Sequence, residues 1–155
     1  MAKIKLTQDF KEFLRLLDSA KIEYLLIGGY AVGLYGYERP TKDIDIWVAC
    51  DPSSQQRLGE VLVRFGFPPA SIRQPLFQGD QTVLRIGNPP NRLELISQIA
   101  GVHFQQCYQR RRMMQIEDLL VSVIDYDDLL KNKRSTGRTG DIADVERLEK
   151  RRQRP

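Results

Sequence analysis

The chain has 155 residues, 41% hydrophobic and 28% charged, the size and composition of one soluble globular domain with a core of its own. Its longest apolar-looking stretch without a charge, residues 24–37, has 14 residues and four glycines, whereas a membrane span needs about 20 apolar residues. Asp9, Lys11 and Glu12 interrupt the region where the apolar part of a signal peptide would sit, so a cytoplasmic location without membrane contact is expected.

In chain order, Thr7 or Asp9 is placed to cap a first helix running to about Ala20, with Phe10, Phe13, Leu14 and Leu17 at helical spacing. Tyr24-Leu-Leu-Ile27 reads as a short buried strand ended by Gly28-Gly29, and residues 30–35 as a short helix leaving that pair. Residues 43–49 alternate, with Ile44, Ile46 and Val48 on one face and Asp43, Asp45 and Trp47 on the other. Asp51-Pro52 is an N-cap followed by proline, opening a helix to about Phe65 that Gly66 ends. Residues 81–86 and 92–96 read as strands joined by a turn over 87–91. A short helix is expected within 103–112, then a hairpin of 113–116 and 119–124 around Glu117-Asp118. Asp125 or Asp127 caps a helix to about Arg134. A last helix begins at Asp141 with Ile142, Val145 and Leu148 on its apolar face. These elements make one domain over residues 1–155, of α/β or α+β class, with about five strands in a central sheet flanked by helices.

Net charge is +4, and residues 131–155 hold nine Lys/Arg against four Asp/Glu, leaving the rest at −1. A basic tail on a near-neutral body either attracts a polyanion such as RNA or a nucleotide, or makes a solvated helix face. Cys50 and Cys107 form no CxxC motif and are expected as two reduced thiols. The single histidine, His103, is too few for the usual zinc ligand set, and no G-x-S-x-G elbow accompanies it for a Ser-His-Asp triad.

Chemistry concentrates at Gly28-Gly29 and, fourteen residues after Gly29, at Asp43-Ile44-Asp45. Two aspartates at i and i+2 of a strand share a face, with Cα atoms about 6.5–7 Å apart. Both can reach one divalent ion, or two ions about 3.5–4 Å apart as in-line phosphoryl transfer uses. Such hard oxygen ligands suit Mg²⁺. The glycines let backbone approach a phosphate, and the N–H groups of a following helix start can cradle it. No Walker A motif is present.

The run Leu26-Ile-Gly-Gly-Tyr-Ala-Val32, followed by Gly36, Arg39, Thr41 and Asp43-Ile-Asp45, resembles the signature of the nucleotidyltransferase superfamily, the DNA-polymerase-beta-like fold. The ending Asp128-Leu-Leu-Lys131, Gly137-Arg138, Asp141 and Asp144 is similar to that of its small bacterial toxin–antitoxin and abortive-infection branch, and lincosamide-type antibiotic nucleotidyltransferases share much of the pattern. The two blocks span residues 24–148. The resemblance implies a mixed central sheet and a metal-dependent transfer of a nucleotidyl group from an NTP. Asp43 and Asp45 would hold Mg²⁺, with Glu94 as the third carboxylate, serving either as general base or as ligand. Gly28, Gly29 and Tyr30 would face the triphosphate, Tyr30 through its backbone N–H, with Arg39 and Thr41 in the same nucleotide-binding block. Lys131 and Arg138 would neutralise phosphate charge, and Asp144 would orient Lys131.

Other readings of these residues stand beside that one. Glu94 alternates with Leu93 and Leu95 and could instead pair with Arg92 or Arg85. Asp141 could serve as an N-cap alone. Trp47 could stack a base or pack in the core. Arg110-Arg-Arg112 and Arg151-Arg152 could follow an RNA backbone or form a solvated face. The acceptor implied is RNA, including a tRNA 3′ end, with a protein hydroxyl or an antibiotic as alternatives. The basic tail favours RNA modestly, and a small acceptor would usually call for a second domain to shape its pocket, for which a chain of this length is expected to be too short. An antitoxin partner, or a degenerate domain that only binds nucleotide or a partner, completes the set.

Overall fold

The computed structural model describes residues 6–38, 43–88 and 92–153. Six strands form one mixed sheet: β1 (Tyr24–Ile27), β2 (Asp43–Val48), β3 (Val83–Ile86), β4 (Arg92–Ile96), β5 (Arg112–Ile116) and β6 (Leu119–Val123), in the order β3-β4-β2-β1-β6-β5. The 112–123 hairpin supplies two of the six strands, β5 and β6, and joins the central sheet because β6 pairs parallel to β1, Leu26 opposite Val123. β1 and β2 are antiparallel, β2 and β4 parallel, and β3 runs antiparallel along the edge of β4.

Six helices accompany the sheet: α1 (Gln8–Ser19), α2 (Gly28–Leu34), α3 (Pro52–Phe65), α4 (Phe104–Gln109), α5 (Tyr126–Thr136) and α6 (Thr139–Gln153). Their ends follow the expected caps. The Thr7 hydroxyl accepts from Phe10 N, the Asp51 carboxylate from Ser54 N and the Asp125 carboxylate from Asp127 N, each satisfying a first-turn amide. Two boundaries differ. α2 starts at Gly28 with no intervening turn, and α6 starts at Thr139, which puts Asp141 inside its first turn.

The alternation of β2 sorts core from site. Ile44 and Ile46 are fully buried and lie beside Leu93 and Leu95 of β4. They join the same core as Phe10, Phe13, Leu14 and Leu17 of α1, whose Phe13 meets Phe65 of α3 edge-on at 5.2 Å. The opposite face carries Asp43, Asp45 and Trp47 beside Arg92, Glu94 and Ile96. Trp47 ends this face as packing and not as a base platform. It is 1% exposed, its Nε1 donates to the Ser97 carbonyl at 3.1 Å, and its ring meets Phe104 edge-on at 5.1 Å. Fixing the β2/β4 register is therefore a task for the apolar face, since a one-residue slip would turn the carboxylates into the core. Ile46→Ala is expected to lower stability by about 2–5 kcal/mol, read as a fall in the urea midpoint with an unchanged slope.

Candidate active site

A cleft of about 670 Å³ opens on the acidic face of the sheet, walled by the end of β1, by β3 and β4, and by the start of α6. Asp45 and Glu94 sit side by side in it, paired in the parallel β2/β4 register. Ile27 lies opposite Asp45 on the other side, so the chain leaves β1 directly over the carboxylate. Gly28 makes that exit possible for two reasons. Its φ is +66°, and a Cβ built on it would lie 2.1 Å from Asp45 Oδ2. Any side chain there would displace the carboxylate or the strand end.

Burial, a hydrogen bond to Glu94 and the nearby charges of Glu94 and Asp43 push the Asp45 pKa up to about 8, against a smaller opposing effect of Lys133. The Asp45 carboxyl group is thus held well above the usual carboxylate range, which favours its protonated form beside Glu94. Glu94 also takes Arg85 Nε at 3.0 Å and lies 3.7 Å from Arg92 Nη2. Both arginines proposed as partners from the sequence are present, and Glu94 still faces the cleft.

Asp43, at the start of β2, is held differently. Arg92 lies opposite it in the register and grips it as a fork, Nε to Oδ1 at 3.0 Å and Nη2 to Oδ2 at 2.7 Å. Asp43 does not line the cleft. Among the described residues, no group of three or more His, Cys, Asp or Glu side chains is arranged to hold a metal ion. The donors that fit a divalent cation are Asp45 and Glu94, two hard carboxylates side by side in the cleft.

The far wall belongs to α5 and α6, where the sequence reading needs correction. Lys131 is exposed and does not line the cleft; Lys133 does. Lys133 is 5% exposed and bridges Asp141 Oδ1 at 3.0 Å and Asp144 Oδ2 at 3.1 Å. Asp144 therefore pairs with Lys133, not Lys131. Asp141 is more than a cap, for its Oδ2 also accepts from Thr136 Oγ1 at 2.6 Å and Arg138 Nε at 2.9 Å. Burial opposes ionisation of Asp141, but the bonds from Thr136 and Lys133 outweigh it and its pKa is lowered. The signal for Lys133 is present in the sequence. It stands three and four residues after Leu130 and Leu129, on the buried face of the helix, whereas Lys131 stands on the outer one.

The remaining expectations divide as follows. Gly28, Gly29, Arg138 and Asp144 line the cleft, joined by Arg85, which the motif reading left without a site role. The Tyr30 side chain points into the core, edge-on to Phe10 at 6.0 Å, so only its backbone remains for a ligand. Arg39 and Thr41 lie outside the described residues. Arg110 forks onto the buried Asp128 with both bonds at 2.9 Å, Arg111 stacks on Tyr108, and Arg112 bonds Asp125. That triplet is engaged within the fold, as is Asp128 of the tail motif.

No family model and no curated protein sequence matches the chain. Solved structures do. The chain is similar to the lincosamide antibiotic adenylyltransferase LnuA in its lincomycin-bound form, with 17% identity and a TM-score of 0.61 over 94% of this chain and 98% of that one. It is also similar to an antigenic nucleotidyltransferase-like protein from Paracoccidioides brasiliensis, with 21% identity and a TM-score of 0.54 over 92% of this chain and 77% of that one. The mixed six-stranded sheet flanked by helices is a nucleotidyltransferase-like fold. No helix among the described residues is long and apolar enough to cross a membrane.

Two outcomes test this geometry. Lys133→Met leaves Asp141 and Asp144 without their buried cation and is expected to cost about 3–5 kcal/mol, whereas Lys131→Met changes the chemical-denaturation midpoint by the equivalent of about 0.5 kcal/mol or less. In EDTA, the raised pKa of Asp45 means that the folded chain holds a proton the unfolded chain releases above the ordinary carboxylate range. Its contribution to stability therefore falls as pH rises from about 4 through about 8. Asp45→Asn should remove that slope and stabilise the metal-free protein at pH 8, measured by urea unfolding at both ends of the range.

Proposed function

We propose that the chain is an Mg²⁺-dependent nucleotidyltransferase that moves a nucleoside monophosphate from an NTP to an acceptor hydroxyl. The observation that carries this reading is the Asp45–Glu94 pair under the Gly28 exit of β1, in an open cleft of a nucleotidyltransferase-like fold. When bound between those carboxylates, the metal ion would supply a counter-charge for the phosphates.

The chain's own residues do the rest. Gly28 and Gly29 admit the triphosphate close to the backbone. Arg138, 77% exposed, and Arg85, 62% exposed, use only Nε on their carboxylates, so each has guanidinium N–H groups to offer phosphate oxygens across the cleft. Lys133 is committed to Asp141 and Asp144, so it holds the α5–α6 wall and neutralises charge from behind. The acceptor oxygen forms its bond to the α-phosphorus as the bond to pyrophosphate breaks. The acceptor's proton passes to the Glu94 carboxylate, which lines the cleft beside Asp45.

We propose an RNA hydroxyl as acceptor, supported by the exposed arginines Arg85 and Arg138 at the cleft mouth. A small hydroxylated molecule is the second reading. It is supported by a further pocket of about 420 Å³ that shares Gln98 and Ile99 with the cleft. The length of this chain does not count against it, because the lincomycin-bound transferase is matched over 98% of its own chain. Unrestrained modification of RNA would make the protein a toxin that needs a neutralising partner, in line with the toxin–antitoxin resemblance.

The test is incubation with Mg²⁺, each α-³²P-labelled NTP in turn and total bacterial RNA, resolved on a denaturing gel, with Asp45→Asn as control. Label in an RNA band, falling to background in the variant, is the expected result. Label on protein, or only on an added lincosamide, moves the acceptor and keeps the reaction. No transfer to any acceptor overturns the assignment.

A further inference from the structure

The fork of Arg92 on Asp43 has a consequence for how many cations the site takes. Two aspartates at i and i+2 of one strand are the arrangement that can hold two ions, yet here they have separate partners. Asp45 turns into the cleft beside Glu94, and Asp43 has both oxygens bonded by one guanidinium, at 3.0 and 2.7 Å. That fork is built into the sheet, since Arg92 and Asp43 are register partners on adjacent parallel strands. Its Nη2 also lies 3.7 Å from Glu94, so the same cation faces two of the three carboxylates. An arginine is always charged and matches a carboxylate with two parallel bonds. It supplies at Asp43 the positive charge that a second metal ion would otherwise supply.

We propose that Arg92 stands in for a second metal ion, so that the site takes a single divalent cation, held by Asp45 and Glu94, while Asp43 acts as the anchor of Arg92. Resting on the nucleotidyltransferase reading, this deepens it by assigning Asp43 and Arg92 their parts. Asp43 is a positioning residue that fixes the guanidinium, and Arg92 is the residue that limits metal occupancy.

Mn²⁺ in place of Mg²⁺ gives a readout independent of turnover. The full chain, mixed one to one with the α,β-methylene analogue of ATP, is titrated with Mn²⁺ and followed by electron paramagnetic resonance. The wild type is expected to hold one ion with a mononuclear spectrum. Arg92→Ala, which removes the guanidinium fork from Asp43, is expected to hold two. Their spectrum should be exchange-coupled, because paired ions lie about 3.5–4 Å apart. A coupled pair in the wild type overturns the proposal, and so does a single ion in Arg92→Ala.

Should Arg92→Ala fail to fold by circular dichroism, Asp43→Asn decides. Its Mn²⁺ affinity is expected to fall by less than about tenfold, the effect of losing an outer partner, and a larger loss makes Asp43 a ligand and overturns the proposal. A wild-type Mn²⁺ signal that Asp45→Asn leaves unchanged also overturns it, since the ion is then not held where proposed. Whether the transferase reading falls as well is read separately from label transfer with Mg²⁺.

Discussion

The site depends on one placement: two carboxyl groups on adjacent parallel strands, at the same level, on the face that lines the cleft. Asp45 and Glu94 are brought together by the pairing of β2 with β4, and that pairing is held by the apolar residues behind it, Ile44 and Ile46 against Leu93 and Leu95. Two like charges so placed cannot both be ionised cheaply. Burial and the neighbouring carboxylates push the Asp45 pKa up, and the surroundings bring in Arg85, Arg92 and Lys133. Gly28 belongs to the same constraint, because the strand end has to pass over Asp45 with no side chain in between.

Charge balance around the cleft then has a simple layout. On the sheet, Arg85 and Arg92 face Glu94 and Asp43. On the helical wall, Lys133 and Arg138 face Asp141 and Asp144. The buried groups, Lys133 and Asp144, are tied to each other and serve the architecture. The exposed ones, Arg85 and Arg138, keep N–H groups available to a ligand. Burial thus separates the cations that hold the site from those able to meet an anion.

The basic tail is used in much the same way. Arg134 pairs with Glu149, Arg152 with Asp127, and the guanidinium groups of Arg147 and Arg152 lie over Tyr37 and Tyr126. Tyr126 Oη also donates to the Leu148 carbonyl, and the Arg151 side chain lies close to the Cα of Gly36. Several charges that looked available to a polyanion hold α6 onto the body of the domain. Among the described residues, Arg85 and Arg138 at the cleft mouth are exposed cations placed to meet a phosphate-bearing ligand.

Local pattern settled a good deal of this. Alternation in Asp43–Val48 divided core from carboxylates, caps at Thr7, Asp51 and Asp125 set three helix starts, and Glu94 followed from its place between Leu93 and Leu95. These are properties of neighbours a few residues apart, and a backbone of fixed period converts them directly into direction. The partners across the chain could be settled only by the folded sheet and the packed helices. That Arg92 takes Asp43, that Lys133 and not Lys131 meets Asp144, and that Trp47 closes the face instead of lining it, depend on which strand lies beside which and how α5 meets α6. The sequence by itself determined which residues could carry charge on which face. The tertiary structure decided which charges face one another, because pairing energy depends on distance and burial, and neither exists until the elements have packed.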